Sequence, residues 1–231
     1  MVTPTRHSGR PPAGTPVPER VRTAAGDQEL APVWRNELGG LTYRTRDRYL
    51  KWNPAGTGID LGREVDRLTW VGHRHPVPEI LDYAADADGQ LLITRPVPGT
   101  SAIEVDARVA VRAIGEGLRA MHEHLPVVGC PFNWSVESRG GHGAPAIDVL
   151  VVCHGDACAP NTIVGAEGRW SGHVDLGSLG IADRWADLAV ASMSLGWNFG
   201  DGWEGEFFAA YGIERDDDRI RFYRALWNAE P

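Results

Sequence analysis

The sequence predicts an α+β chain of two lobes, a small antiparallel β-rich N-terminal lobe followed by a mainly helical C-terminal lobe. Three observations carry that prediction. Residues 30 to 52, LAPVWRNELGGLTYRTRDRYLKW, alternate apolar and polar side chains in three runs, broken by Gly39-Gly40 and by Arg46-Asp47-Arg48, which is the period-two pattern of adjacent strands. From Asp106 to Leu125 the period changes, and Val109, Ile114, Leu118, Met121 and Leu125 fall on one face of a long helix. Between the two regimes lies ITRPVPG, whose prolines and glycine mark a connection rather than an element.

Each element follows in chain order. Residues 1–27 are rich in Pro, Gly, Arg and Thr and read as a mobile tail. After the three strands, NPAGTGID is a loop, and LGREVDRLTWVGHR places Leu61, Val65, Leu68 and Trp70 at helical spacing until Pro76 and Pro78 interrupt it. EILDYAADADGQLLITRP reads as strand, Asp/Gly turn, strand. These elements make an N-terminal lobe over 28–96, and 97–231 make the C-terminal lobe. There the long helix is followed by CPFNW, a glycine-rich stretch SRGGHGAP, and IDVLVV as a short buried strand. TIVGAEGRWSGHVDLGS forms a hairpin around Glu167-Gly168, DRWADLAVASMSLGW starts a helix, and two more helical stretches follow, the second capped by the aspartates at 216–218. A cleft between two lobes is a common place for a ligand.

Composition narrows the class. The chain has 231 residues, 42% hydrophobic and 23% charged, ordinary for a globular protein. Its net charge of −8 argues against a nucleic-acid binder and favours a cationic small substrate. No stretch approaches a membrane helix, and the N-terminus has no apolar core of a secretory signal. Cys130, Cys153 and Cys158 suit no disulfide framework and form no CxxC pair, so the expectation is a cytoplasmic protein without a structural zinc. The 23 basic residues include one lysine, Lys51. A chain that uses arginine at every other cationic position keeps a compact ammonium there.

The second half holds the densest chemistry. In HGDACAPN, residues 154–161, Asp156 stands five residues before Asn161, and Asp175 of VDLG follows a hairpin later. Phosphoryl transfer from ATP needs such a set: one carboxylate to take the proton of the attacking hydroxyl, and an amide oxygen with a second carboxylate to hold Mg²⁺ on the phosphates. Lys51, on the third predicted strand, is placed to reach the α- and β-phosphates, and Glu64 on the following helix to hold it extended. The order strand lysine, helix glutamate, HxDxxxxN, DxG is that of protein-kinase-like enzymes.

HGDACAPN, together with GHVDLGSLGIADRWADLA and FFAAYGIERDDDRIRFYRAL, resembles the aminoglycoside 3′-phosphotransferase family. The similarity runs from about residue 33 to 227 and is densest over 151–227. The resemblance implies a protein-kinase-like two-lobed fold, ATP and magnesium, and transfer of the γ-phosphate to an antibiotic hydroxyl. Carried over, Asp156 is the catalytic base, Asn161 and Asp175 are metal ligands, Lys51 binds phosphate and Glu64 orients it. ITRPVPG resembles the hinge that reads adenine, with the Arg95 carbonyl and Val97 N–H bonding the base and Thr94 behind it. The N-terminal lobe is then the nucleotide-binding lobe and the C-terminal lobe the catalytic and substrate-binding one. ELGGLTYR lacks the kinase GxGxxG and leaves the residues that cover the phosphates unassigned.

Other side chains read as structural. His154 fixes its loop by a backbone hydrogen bond, Asp187 anchors that loop, Cys153 and Cys158 pack, and Trp185, Trp197, Trp203 and Trp227 belong to the core or to a sugar-stacking surface. A rival from another class, a metal-dependent phosphoesterase, uses His154, Asp156, His173 and Asp175 as mixed ligands to two metals, but gives Lys51, Glu64 and Asn161 nothing to do. For the substrate, the acidic helical insertion of the family is reduced here to a glycine-rich Phe132–Asp148. Asp183, Glu204 and Glu206 remain as acidic candidates for an aminoglycoside, and a less cationic hydroxylated metabolite is the alternative acceptor.

Overall fold

The computed structural model describes residues 9–12, 14–36 and 38–229, and the chain divides into two compact units. Unit 1 comprises Met1–Asp66 and Pro78–Pro96; unit 2 comprises Arg67–Val77 and Val97–Pro231. The division falls after Pro96, as the prolines of the connection suggest. It differs from a simple cut there, because the segment 67–77 belongs to the second unit.

Unit 1 is an antiparallel sheet with one short helix against it. After α1 (Glu19–Ala25) come β1 (Ala31–Arg35), β2 (Leu41–Arg44) and β3 (Tyr49–Pro54), and then, past helix α2 (Leu61–Val71), β4 (Glu79–Ala85) and β5 (Gly89–Arg95). The strand order is β1-β2-β3-β5-β4. The inner pair β3 and β5 sets the register: Leu50 faces Tyr43 of β2 on one side and Ile93 of β5 on the other. Tyr43, Leu50, Trp52, Leu91 and Ile93 are buried together on one face. Side chains alternate along a strand, so Lys51, between Leu50 and Trp52, projects from the opposite face.

The tail expectation is corrected here. Residues 1–8 lie outside the described residues, but 19–25 form α1, whose Val21 is fully buried in the cluster under the sheet. The Tyr43 hydroxyl also donates to the Pro16 carbonyl at 3.0 Å. A seven-residue helix that follows a proline and ends at a glycine carries too little periodicity to be read from sequence; two apolar residues, Val21 and Ala25, one turn apart suffice to dock it.

In unit 2, β6 (Thr100–Ser101) leads into α3 (Ala107–His124). Asp106 caps this helix, its carboxylate accepting from the N–H groups of Arg108 and Val109. Ile114, Leu118 and Met121 are buried along it as their spacing predicts. β7 (Leu150–Cys153) pairs antiparallel with β10 (Gly180–Asp183), while β8 (Thr162–Val164) and β9 (Trp170–His173) form the predicted hairpin and join β6. Helices α4 (Trp185–Phe199), α5 (Glu204–Tyr211) and α6 (Asp217–Asn228) complete the unit, and Asp216 caps α6. The core runs from Ile114 and Leu118 of α3 through Trp134 and Val151 to Leu188 and Leu195 of α4 and Phe207 of α5.

Two local readings change. IDVLVV is buried only at Val151 and Val152, which lead into the buried Cys153; Ile147, Val149 and Leu150 are exposed, because the strand starts at Leu150 and has a single neighbour, β10. On α2 the buried face is Leu61, Glu64, Leu68 and Val71 rather than Leu61, Val65, Leu68 and Trp70. A carboxylate thus occupies a core-facing position, and a buried charge requires a partner.

Candidate active site

That partner is Lys51. Its Nζ lies 2.7 and 2.9 Å from the two carboxylate oxygens of Glu64, with the Glu64 side chain 5% exposed. In β3, Lys51 stands between Thr42 and Leu92 on the neighbouring strands, so its backbone is fixed on both sides. The pair holds an ammonium at a defined place on the sheet. Thr94 and Arg95 end β5: Thr94 is buried, and Arg95 is an exposed residue paired with Glu79 at 2.7 Å. Lys51, Glu64, Thr94 and Arg95 belong to unit 1, and Val97 is the first residue of the second segment of unit 2.

Asp156, Asn161 and Asp175 all lie in unit 2. The loop from His154 to Asn161 leaves β7 and ends in a single 3₁₀ turn, Ala159–Asn161. Its backbone is held from beneath by Asp187 of α4, which accepts from the N–H of His154 at 2.6 Å and from that of Gly155 at 2.9 Å. His122 of α3 bonds the same carboxylate at 3.0 Å through Nε2 and the Tyr211 hydroxyl at 2.8 Å through Nδ1. Burial works to raise the Asp187 carboxyl, but the His122 hydrogen bond and charge and the loop N–H groups outweigh it and hold it below the ordinary carboxylate range. Gly155 is needed where it is: its φ is +81°, and a Cβ would come 2.1 Å from the Ser178 carbonyl oxygen.

His154 has the loop-fixing role expected of it. Its Nε2 bonds the Val174 carbonyl at 3.0 Å, and its Nδ1 accepts the Asp156 N–H at 3.3 Å. Both nitrogens are spent within the protein. His173 is likewise buried, its Nδ1 2.8 Å from His75 Nε2. Of the imidazoles that a two-metal phosphoesterase would use, His154 is therefore engaged at both nitrogens and His173 at Nδ1. His122, Cys153 and Asp187 also lie close enough to share an ion, but His122 and Asp187 are bound to the protein groups just named, and the Cys153 thiol donates to the Asp183 carbonyl at 3.5 Å.

At the centre of the loop, Asn161 donates from Nδ2 to the Asp156 carbonyl at 2.9 Å and to Asp156 Oδ2 at 3.3 Å. That leaves the amide oxygen of Asn161 as its acceptor. Asp156 Oδ1 is buried and has no hydrogen-bond partner in the protein. Burial raises the Asp156 carboxyl above its usual range, and the charge of Asp175 raises it further. Asp175 itself is exposed and sits in the left-handed region at φ 64°, among the described residues the one non-glycine with positive φ, a conformation tolerated by aspartate at a modest strain. Val174 N–H bonds the Asn161 carbonyl at 3.0 Å, which ties the two acidic segments together. The donors here are hard oxygens, and the mutual repulsion of Asp156 and Asp175 is what a divalent cation would relieve; the set fits magnesium.

Two residues that sequence reasoning passed over support this loop. Arg67, one turn beyond Glu64 on α2 and buried, donates from Nε to the Leu179 carbonyl at 2.8 Å and stacks its guanidinium 4.5 Å from the Phe132 ring centroid. Ser194 of α4 accepts the Ala159 N–H at 2.9 Å. An arginine on the apolar face of a predicted helix was the available signal for the first; nothing local marks the second. Among the acidic substrate candidates, Asp183 is buried and bonded to Arg219 at 3.0 Å and to the Asp148 N–H at 2.8 Å, and Glu204 is engaged by Arg215 and Arg224. Both are spent on holding α6 and α5.

The chain is similar to known phosphotransferases. The model of the phosphotransferase enzyme family matches residues 143–223. Streptomycin 3''-kinase of Streptomyces griseus is 34% identical over 269 residues, spanning 95% of this chain and 97% of that protein. An aminoglycoside 3'-phosphotransferase of Streptomyces fradiae is 34% identical over 220 residues, 75% of this chain and 81% of that one. The solved structure of aminoglycoside phosphotransferase APH(3'')-Id from Streptomyces rimosus, in complex with ADP and streptomycin, superposes with a TM-score of 0.71 at 31% identity, covering 89% of this chain and 94% of that one.

Proposed function

The chain belongs to the aminoglycoside phosphotransferase family, and from that premise we propose that it transfers the γ-phosphate of ATP to a hydroxyl of an aminoglycoside, using Asp156 as the base. The observation that carries the assignment of the base is the Asp156 carboxylate: one oxygen is oriented by Asn161, and the other is buried with no protein donor. A buried acceptor left without a partner is costly. It is what a site must present to receive the proton of a substrate hydroxyl.

Each residue then has a task on its own unit. In unit 1, Lys51 is held extended by Glu64 and offers its ammonium to the α- and β-phosphates, while Thr94 and the Arg95 carbonyl receive the adenine, with the Val97 N–H of unit 2 as its other backbone partner. In unit 2, Asp187 fixes the loop N–H groups, the loop fixes Asp156, and Asp156 takes the hydroxyl proton as the acceptor oxygen attacks. The raised carboxyl makes Asp156 a stronger base than an ordinary aspartate. Asn161 and Asp175 would hold magnesium, which would neutralise phosphate charge and relieve the repulsion between the two aspartates. A cytoplasmic setting suits an ATP-dependent enzyme with three free cysteines. Among the described residues no helix is long and apolar enough to cross a membrane.

The test is direct. Purified protein is incubated with ATP and magnesium and a panel of streptomycin, a deoxystreptamine aminoglycoside and neutral sugars. The expected outcome is ADP formation dependent on an aminoglycoside, with a product heavier by one phosphoryl group. ATP consumption with none of the aminoglycosides, or with neutral sugars alone, overturns the acceptor class.

A further inference from the structure

With Asp183 and Glu204 committed to arginines of the protein itself, Glu206 is what remains of the three acidic side chains expected to grip a cationic acceptor. A different side chain stands out on the helix that supports the loop. Trp197 of α4 is 57% exposed, more than any other Trp, Tyr or Phe among the described residues. The other tryptophan of this helix, Trp185, is buried.

The position is specific. Three residues earlier on the same helix, Ser194 accepts the Ala159 N–H of the catalytic loop, and the Cys158 thiol lies against both the Ser194 hydroxyl and the Asp156 carboxylate. Residues three apart on a helix are surface neighbours, ~5–6 Å between Cβ atoms. Trp197 thus stands one turn of helix from a side chain that touches the loop of the base. Its ring is steadied by Trp227 of α6, with centroids 5.8 Å apart and planes tilted by 44°. The next residue of α6, Asn228, donates to the Met193 sulfur at 3.9 Å and pins the same two helices together. Asp201 lies close by, its carboxylate 3.9 Å from where a Cβ on Gly196 would stand.

We propose that Trp197, braced by Trp227, is a specificity-determining platform on which a cationic group of the acceptor, best a planar guanidinium, stacks while its hydroxyl is presented to Asp156. This rests on the phosphotransferase reading above. An indole face attracts a cation through its quadrupole, and a guanidinium adds flat stacking and is weakly hydrated. The platform substitutes ring electrostatics for a carboxylate. It selects acceptors by the shape of the cation as well as by its charge.

Calorimetric titration with streptomycin, which carries two guanidinium groups, tests it on the wild type and on Trp197→Phe, Trp197→Leu and Trp227→Leu, with ADP affinity as the control for folding. Trp197→Leu is expected to weaken streptomycin binding about five- to thirty-fold, Trp197→Phe to keep part of it, and Trp227→Leu to lose a lesser part, all with ADP affinity within about twofold of wild type. Unchanged streptomycin affinity in Trp197→Leu overturns the platform while phosphoryl transfer by the wild type leaves the function standing. Equal losses in the Phe and Leu variants also overturn it, since the contact is then merely apolar. Trp197-dependent binding in a protein that transfers no phosphate sinks the function and keeps the platform. A wild type that binds no cationic acceptor, or one in which Trp197→Leu only dissociates a dimer, overturns the platform as well.

Discussion

Asp156, the proposed base, is held in a setting that costs stability when its carboxyl is ionised. Its carboxyl is raised by burial and by Asp175, so the folded protein favours the protonated form more than the unfolded chain does. A group of this kind adds stability below its unfolded value of about 3.9, and that contribution is lost as pH rises through the folded value. At pH 7 the ionised Asp156 is a net cost. Asp156→Asn is therefore expected to reduce phosphoryl transfer by ~10²–10⁴-fold while raising Tm at pH 7, with the gain shrinking as the pH is lowered toward about 4. Paired kinetics and calorimetry check it, and a variant that loses activity and stability together at pH 7 contradicts it. At this scale the groups proposed to react stand out in the sequence because their identity is their signal: one lysine among 22 arginines, and an Asp and an Asn five residues apart. Ser194 and Arg67 were not, because a serine or arginine acquires its task from the backbone group that packing brings opposite, Ala159 N–H or Leu179 O.

At the scale of elements, period and caps were enough for the long ones. α3 carries five apolar residues at helical spacing behind an aspartate cap, and the β8–β9 hairpin turns at Glu167-Gly168 as predicted. Short or one-sided elements were misjudged. IDVLVV is apolar in sequence but half exposed, since burial depends on what covers a strand rather than on the strand. α1 escaped notice altogether, though Val21 contributes to the cluster of unit 1. Its docking is testable: Val21→Asp places a carboxylate without a partner in an apolar site, a change that costs several kcal/mol or forces the helix off the sheet. The expected result is a fall in Tm of roughly 5 °C or more, measured by thermal unfolding. A mobile tail would leave Tm unchanged.

For the whole molecule, net charge is the property that acts at a distance. A chain at −8 attracts a polycation before any contact forms, and salt screens that attraction as the Debye length falls from ~30 Å at 0.01 M to ~3 Å at 1 M. KM for an aminoglycoside is expected to rise several-fold across that range, while KM for a neutral acceptor stays nearly flat; steady-state kinetics at constant magnesium measures both, and parallel curves for the two acceptors would remove the steering argument. The division into units was legible near Pro96, where prolines interrupt both periodic patterns, but the assignment of residues 67–77 to unit 2 was not, because one continuous helical pattern, α2, runs through the boundary without a break. By itself the sequence determined the periodicities, the caps and turns, and the chemical inventory of the site, all of which depend on neighbours within a few residues. Only the tertiary structure decided that Arg67 and Ser194 hold distant backbone groups, that Asp183 and Glu204 are taken by arginines, and that Trp197 is left open. Those outcomes depend on which groups distant in the chain arrive within 3 to 6 Å, where hydrogen bonds, ion pairs and ring contacts act.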